Sequence, residues 1–128
     1  MTTRQEGTTD AAPAPVGPYS QSVRIANTIS VAGQVGFDPA TGAVVSDDVG
    51  EQTAQTFQNI AAVLETHGAS LGDVIRVDVY LTDVDHFAAM NAVYAEQFER
   101  PYPARTTVYV GLPPTVLVEI TVLAVVLS

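Results

Sequence analysis

The stretch that organises this chain covers residues 103–119 and has the sequence PARTTVYVGLPPTVLVE. Its β-branched residues on either side of a Pro-Pro pair predict two strands joined by a turn. Among side chains that are otherwise uncharged, the stretch carries one arginine, Arg105, and one carboxylate, Glu119. Because strand side chains alternate between the two faces of a sheet, Arg105 and Thr107 are expected to share a face.

Arg105 has two interpretations on charge and spacing alone. A planar, permanently charged guanidinium is suited to holding a carboxylate through two hydrogen bonds, which predicts an anion-binding site. The structural alternative is that Arg105 and Glu119 pair with each other, or that they lie at the edge of a sheet. The residues by themselves leave both interpretations open.

Length and composition limit the class of protein. With 128 residues, the chain is expected to form one domain around a single core. Apolar residues make up 47% of the chain and its mean hydropathy is +0.22, which favours apolar surface shared between subunits. There are no cysteines, and His67 and His86 are too few and too far apart for a histidine metal site. We therefore expect no metal.

The charge balance is strongly acidic. The formal net charge is -9, the isoelectric point is near 4.2, and all five basic residues are arginines. Nucleic acids and anionic membrane surfaces are bound by clustered positive charge, so we expect neither as a partner. No secretory signal is recognisable, and the longest apolar run, residues 122–127, is far shorter than the roughly 20 residues that cross a bilayer. We expect a cytoplasmic protein.

The N-terminal segment has no apolar period. Residues 1–13 are predicted to form a flexible arm, disordered or extended, ahead of a single domain over residues 14–128. Gly17 and Pro18 then predict a turn that presents Tyr19. A tyrosine at this place is either a packing side chain or a ring that lines a pocket.

Three strands are predicted before the closing pair. Residues 23–25 and 29–32 predict a hairpin. Gly33 ends its second strand, where a glycine marks a bulge or a place at which another group approaches the backbone closely. Residues 74–81 alternate between apolar and polar, which predicts a half-covered strand whose apolar side includes Ile75.

Two helices are predicted from caps and apolar stripes. Asp48 caps the first helix, whose stripe consists of Phe57, Ile60, Ala61 and Leu64. Asp83 or Asp85 caps the second helix, which ends before Pro101. The stripe of this second helix consists of Phe87, Met90, Tyr94 and Phe98.

The predicted order of elements is therefore β-β-α-β-α-β-β, an α+β arrangement with both helices on one face of the sheet. The other face has to be covered, and an oligomer partner is the simplest candidate. The apolar residues of the closing strands that we expect at this surface are Val108, Val110, Val118, Ile120 and Val122.

Seven short motifs occur in order along the chain. They are GPYSQ at 17–21, VAGQ at 31–34, EQT at 51–53, DVI at 73–75, FAAMN at 87–91, PAR at 103–105, and LP at 112–113 leading to VEI at 118–120. With these motifs the chain resembles the RidA/YjgF family of reactive-intermediate (enamine/imine) deaminases from residue 14 to its C-terminus. The resemblance implies a chorismate-mutase-like α+β fold with a mixed sheet, and a homotrimer with sites in the clefts between subunits.

The resemblance also assigns residues to a site. Arg105 takes the position of a carboxylate-binding arginine, and Glu119 that of an acidic residue that positions or activates water. The positions that line the cleft are occupied by Tyr19, Gly33, Phe87, Asn91 and Thr107. Thr107 stands where many members carry cysteine, and Ala32 where many carry serine.

The function that the resemblance implies is hydrolysis of 2-aminoacrylate-type enamines and 2-iminoacids to 2-ketoacids and ammonia, without a cofactor. The alternative is a non-enzymatic trimeric module that senses small carboxylates, since Thr107 and Ala32 alter the pocket. A ribonuclease or translation inhibitor is disfavoured, because a chain with net charge -9 offers few cations for phosphate contacts.

Overall fold

Six strands and two helices make up this computed structural model, which describes residues 3–127. They are β1 (Gln5–Gly7), β2 (Ser22–Ile25), β3 (Thr28–Val35), α1 (Val49–Glu65), β4 (Val74–Leu81), α2 (Phe87–Gln97), β5 (Ala104–Tyr109) and β6 (Val118–Val125). Single turns of 3-10 helix, Leu71–Asp73 and Val84–His86, precede β4 and α2. The predicted α+β class is confirmed, with one additional strand at the N-terminal end.

The strands form one mixed sheet in the order β1-β2-β3-β6-β4-β5. β4 and β5 run parallel, and all other neighbouring strands run antiparallel. Residues 103–119 do give two strands, but these strands are not neighbours, because β4 lies between them. The turn at Pro113, whose carbonyl accepts a hydrogen bond from the Val116 N–H at 3.1 Å, carries the chain past the end of β4.

Both helices cover the same face of the sheet. Asp48 caps α1 by accepting a hydrogen bond from the Glu51 N–H at 2.8 Å, as its sequence predicts. Asp83 accepts from the Asp85 N–H at 2.8 Å and begins the short turn that leads into α2. The core between helices and sheet includes Ile29, Val31, Phe57, Ile60, Leu64, Val77, Val79, Met90, Tyr94 and Ile120.

The apolar residues of the closing strands divide between the two faces of the sheet. Three of the residues expected on the uncovered face are instead buried beneath the helices: Val118, Ile120 and Val122. Val108 lies on the uncovered face, in register with Tyr80, and is 39% exposed. Val110, just after β5, is 36% exposed. The single apolar surface predicted from these five residues was wrong, because the register of β5 against β4 has to be known to assign their faces.

Two register shifts interrupt the sheet. One falls between Val31 and Gln34, where the sequence predicts a bulge at Gly33. The other falls between Val74 and Arg76 and places an extra residue in β4. Because an extra residue interrupts the alternation of faces, Ile75 is 51% exposed and does not belong to the covered side of β4, contrary to the prediction.

The N-terminal arm is not free in the part that the structure describes. Gln5–Gly7 forms β1 and pairs antiparallel with β2, and the side chain of Ala12 is buried at the border of the core. The prediction of a flexible arm is therefore corrected for this segment. No apolar pattern marks this strand, because two of its three residues are exposed. Residues 1 and 2 lie outside the described part of the chain.

Gln52 connects the start of α1 to the turn that leads into β6. Its buried side-chain amide donates to the carbonyls of Ser46 (2.8 Å) and Thr115 (2.9 Å), and its oxygen accepts from the Leu117 N–H (2.9 Å). Thr115 has a φ of 72°, a left-handed conformation that strains a β-branched residue. The three hydrogen bonds hold this turn and so determine where β6, and with it Glu119, begins.

We expect Gln52→Ala to lower the free energy of unfolding by about 3 kcal/mol, because it leaves buried backbone groups without partners. Urea denaturation at a fixed protein concentration measures the difference. Gln58→Ala, an exposed position on the same helix, is the matched control and should change the free energy of unfolding by less than about 0.5 kcal/mol. Equal effects of the two substitutions would contradict the role given to Gln52.

Candidate active site

Arg105 lies on β5, at the edge of the sheet, and its side chain turns toward the helices. In the parallel pairing of β4 with β5 it is in register with Val77, which faces the core. Its Nη1 donates a hydrogen bond of 2.7 Å to Oδ1 of Asn91. The guanidinium carbon lies 4.5 Å from the centre of the Tyr94 ring and 5.5 Å from that of Phe87, within the range of cation–π attraction. α2 thereby fixes the position of the guanidinium.

Tyr94 was predicted only as part of the apolar stripe of α2, and its place beside Arg105 was missed. The signal is in the spacing, because Phe87, Asn91 and Tyr94 fall at i, i+4 and i+7 on one helix face. Tyr94 is 5% exposed, and burial raises the pKa of its phenol, an effect that the charge of Arg105 opposes. Its hydroxyl and the Oγ1 of Thr107 are buried without hydrogen-bond partners among residues 3–127.

A pocket of about 430 Å³ opens beside the guanidinium. It is lined by Asn91, Tyr94, Ala95, Tyr102, Pro103 and Arg105. Within the described residues the one ion pair joins Arg76 to Asp78, so no carboxylate of this part of the chain neutralises Arg105. A guanidinium has five N–H donors, and most of those of Arg105 remain available to a carboxylate in the pocket. We call Arg105, Asn91, Phe87, Tyr94 and Thr107 the arginine half-site.

Glu119 lies on β6, in register with Val35 of β3 and Tyr80 of β4. The backbone of Gly33 comes so close that a β-carbon at this position would overlap the Glu119 carboxylate. Gly33 therefore makes room for the carboxylate at the bulge of β3, which is the close approach that the sequence predicts. Tyr19 lines the same pocket, which has a volume of about 190 Å³. We call Glu119, Gly33 and Tyr19 the glutamate half-site.

The pocket around Glu119 is mostly apolar. Besides the half-site itself, its lining includes Pro13, Ala14, Val16, Val35, Phe37, Pro113 and Val116. Burial among these residues raises the pKa of the Glu119 carboxyl above its ordinary value. An accessible carboxyl with a raised pKa is a stronger base than an exposed one once it is ionised, which suits proton transfer from water.

The two half-sites lie on opposite faces of the sheet. Arg105 and Val122 of β6 are both in register with Val77 of β4, so they lie side by side two strands apart. Glu119 lies three residues from Val122 along β6. Strand spacing and rise per residue place the two Cα atoms about 14 Å apart. An odd number of residues along the strand also reverses the face. A direct pair between Arg105 and Glu119 is therefore excluded within one chain, whereas the edge position holds for Arg105.

Neither histidine lines the pocket of a half-site. His67, near the end of α1, is 2.8 Å from the Oγ of Ser22 through its Nε2, and burial, with a smaller effect of Arg24, lowers the pKa of its imidazole. Among residues 3–127 no group of three or more His, Cys, Asp or Glu is placed to hold a metal ion. None of the helices in this part of the chain has the length and apolar character needed to span a bilayer.

Residues 9–126 match the family described as Endoribonuclease L-PSP. The chain belongs to this family. A RutC family protein of Pyrococcus abyssi is 50% identical over 117 residues, which cover 91% of this chain and 92% of that protein. A 2-iminobutanoate/2-iminopropanoate deaminase of Capra hircus is 41% identical over 118 residues, which cover 91% of this chain and 86% of that protein.

Solved structures of the family share the fold. RidA from an Antarctic Psychrobacter is 44% identical and superposes with a TM-score of 0.92 over 96% of this chain and 100% of that one. Escherichia coli TdcF, solved with bound serine, is 35% identical with a TM-score of 0.89 over 94% of this chain and 98% of that one. The resemblance to the RidA/YjgF family and the fold class that it implies are confirmed.

We expect Glu119→Gln to stabilise this family member at neutral pH. The folded-state pKa of Glu119 lies above its unfolded value, so the folded protein binds more protons and loses stability as the pH rises through the raised pKa. An amide does not ionise and avoids this loss. The Tm of the variant should exceed that of the wild type at pH 7, and the difference should shrink as the pH falls below the unfolded pKa.

The control for this comparison is Glu99→Gln, at an exposed position after α2. We expect its Tm to follow that of the wild type at both pH values. A Glu119→Gln variant that is less stable than the wild type at pH 7 would show that the carboxylate makes stabilising contacts that outweigh its burial.

Proposed function

We propose that this protein hydrolyses 2-aminoacrylate-type enamines and their 2-iminoacid tautomers to 2-ketoacids and ammonia. The observation that carries the proposal is the arginine half-site, in which Asn91 and two aromatic rings fix a guanidinium that has no carboxylate partner among residues 3–127. Such a group is prepared to bind the carboxylate of a small acid. Deaminase names at 41% and 40% identity support the same reaction class.

A second comparison supports the ligand class. Escherichia coli TdcF was solved with bound serine, and serine carries an α-carboxylate as 2-iminoacids do. We infer that the carboxylate of the substrate binds Arg105, and that Thr107 and the Tyr94 hydroxyl supply further polar contacts on the same side. Phe87 and Asn91 then act by holding the guanidinium in position.

The chemistry that remains is a hydration followed by an elimination. The carboxylate of Glu119 accepts a proton from water while the water oxygen adds to the electrophilic imine carbon. Glu119 then returns this proton to the nitrogen of the resulting carbinolamine, and the carbon–nitrogen bond breaks to release ammonia. The hydroxyl group loses its proton to the Glu119 carboxylate as the carbonyl forms. An enamine enters the same route after protonation of its terminal carbon. No step needs a cofactor, and the rate should fall as the pH drops through the raised pKa of Glu119.

Half-sites on opposite faces can meet only if a second subunit brings them together. We propose a homotrimer in which the arginine half-site of one subunit faces the glutamate half-site of the next. The contact joins two different surfaces, and such head-to-tail contacts close into a ring when the rotation between subunits permits. The exposed apolar residues on and beside the uncovered sheet face, among them Ile25 and Val108, support an assembly that buries this face.

A nuclease is the second function that the family description suggests, and the distribution of cations counts against it. Arg24 donates to nearby backbone carbonyls, Arg76 pairs with Asp78, and Arg100 lies over the ring of Tyr102 at 5.4 Å. With a net charge of -9, these dispersed arginines form no cationic surface for a phosphate chain. We therefore expect no nucleic-acid partner.

Arg105→Ala should lower kcat/KM for 2-iminoacid hydrolysis at least about 100-fold, because the carboxylate loses its charged partner. An amino-acid oxidase generates the imines in a coupled assay, and the rate of their loss is measured. Arg100→Ala, an exposed arginine outside both half-sites, is the matched control and should retain wild-type activity. Unchanged activity of Arg105→Ala contradicts the proposal. If the wild-type protein binds ketoacids but does not hydrolyse imines, the result favours the alternative of a non-enzymatic sensing module.

Mixing two inactive variants tests the shared site. Arg105→Ala keeps the glutamate half-site intact, and Glu119→Gln keeps the arginine half-site intact. Unfolded together in equal amounts and refolded, the two should form mixed trimers in which about a quarter of the clefts combine two intact half-sites. Activity should therefore return to about a quarter of the wild-type value per chain. If the mixture stays inactive while native mass spectrometry shows mixed trimers, the site is not shared between subunits.

A further inference from the structure

The N-terminal arm is fixed to the sheet by the side chain of Gln21. This residue is 2% exposed, and its amide oxygen accepts from the Thr9 N–H at 2.8 Å. Its amide nitrogen donates to the carbonyls of Thr9 (3.0 Å), Ala12 (3.3 Å) and Pro13 (2.9 Å). One buried side chain thus satisfies four backbone groups of residues 9–13, which turn at Asp10 and Ala11 and belong to no strand.

A second anchor lies at the start of the arm. The Oγ of Ser22 donates to the carbonyl of Gly7 at 3.1 Å and lies 2.8 Å from Nε2 of His67. A β-carbon at Gly7 would overlap both the His67 ring and the Ser22 hydroxyl, so only glycine lets the strand approach this closely. β1 and Gln21 together hold residues 5–13 of the arm in one conformation.

In this conformation the arm runs along the pocket of the glutamate half-site. Pro13 and Ala14 form part of the wall of that pocket, and the Val16 N–H donates to the hydroxyl of Tyr19 at 3.3 Å. Pro13 is half-buried and Ala14 is exposed. The pocket holds about 190 Å³ and is mostly apolar, which suits a short hydrocarbon group next to the reacting carbon.

We propose that the arm is a wall of the substrate pocket and limits the length of the substrate side chain, with Pro13 and Ala14 in contact with that side chain. Gln21 is the positioning residue, because it holds the wall without touching the reacting atoms. The inference rests on the proposed function, and it adds a determinant of substrate choice to it. A larger side chain in the wall should lower the activity on substrates with long side chains. Release of the arm from Gln21 should remove the difference in activity between long and short substrate side chains.

Ala14→Leu tests the wall without disturbing the core, since Ala14 is exposed. The measured quantity is the ratio of kcat/KM for the imine of norleucine to that for the imine of alanine. We expect this ratio to fall at least about tenfold, the size of effect that extra methylene groups have in an apolar pocket. Ala11→Leu places the same side chain on an exposed position of the arm outside the pocket, and it should leave the ratio unchanged.

Gln21→Leu tests the positioning role. Hydrogen exchange at the Thr9 N–H should become faster, because its acceptor is lost. The selectivity ratio should at the same time move toward one, since a released wall no longer distinguishes side chains. Faster exchange at Thr9 with an unchanged ratio would overturn the proposal, because it would show that the arm moves without affecting the substrate.

Calorimetric binding of pyruvate and 2-ketohexanoate separates failure of this inference from failure of the proposed function. If the wild type hydrolyses imines and Ala14→Leu has the same selectivity ratio as the wild type, only the proposal that the arm forms a wall of the pocket is overturned. If the wild type binds these ketoacids without hydrolysing imines, the proposed function fails and the ratio of the two affinities tests the wall. If it neither binds nor hydrolyses, both proposals are wrong.

Discussion

The alternation of side chains across β4, β5 and β6 is the constraint on which the rest of this molecule depends. It directs Arg105 under α2 and Glu119 onto the opposite face, although both belong to one stretch of 17 residues. No rotamer change can bring two groups together through a packed sheet. Under the proposed function, activity is therefore a property of an assembly, and the uncovered sheet face and the divided site have the same explanation.

Local patterns predicted most elements, because caps, stripes and bulges depend on neighbours in sequence. Asp48, the stripe around Phe57 and the break at Gly33 were all predicted for the right physical reason. Strand order was not predicted, since a Pro-Pro turn between two strands suggests a hairpin. A signal for the true order was available: a strand, a helix and a strand in succession favour parallel neighbours, as β4, α2 and β5 are.

The surroundings of the candidate site residues were predicted less completely than the fold. An aromatic residue on a helix stripe satisfies core packing whether or not a cation lies on its face, so sequence alone could not distinguish these roles for Tyr94. The arm was missed for a different reason. Its order comes from one distant glutamine and from β1, and neither produces an apolar period. Side-chain hydrogen bonds of this kind can be assigned only when the backbone groups that the side chain contacts are known.

The acidic character of the protein bears on product release in the proposed reaction. A 2-iminoacid in its protonated iminium form carries no net charge, whereas the 2-ketoacid product is an anion. In the proposed reaction Arg105 would attract the carboxylate of both, but the field of a protein with net charge -9 would act on the difference in charge between substrate and product. Screening limits that field to about 8 Å at physiological salt, so the nearest carboxylates matter most, and Glu119 is the one in the site. Under the proposed function, an ionised Glu119 would therefore act as the base and would also disfavour retention of the anionic product.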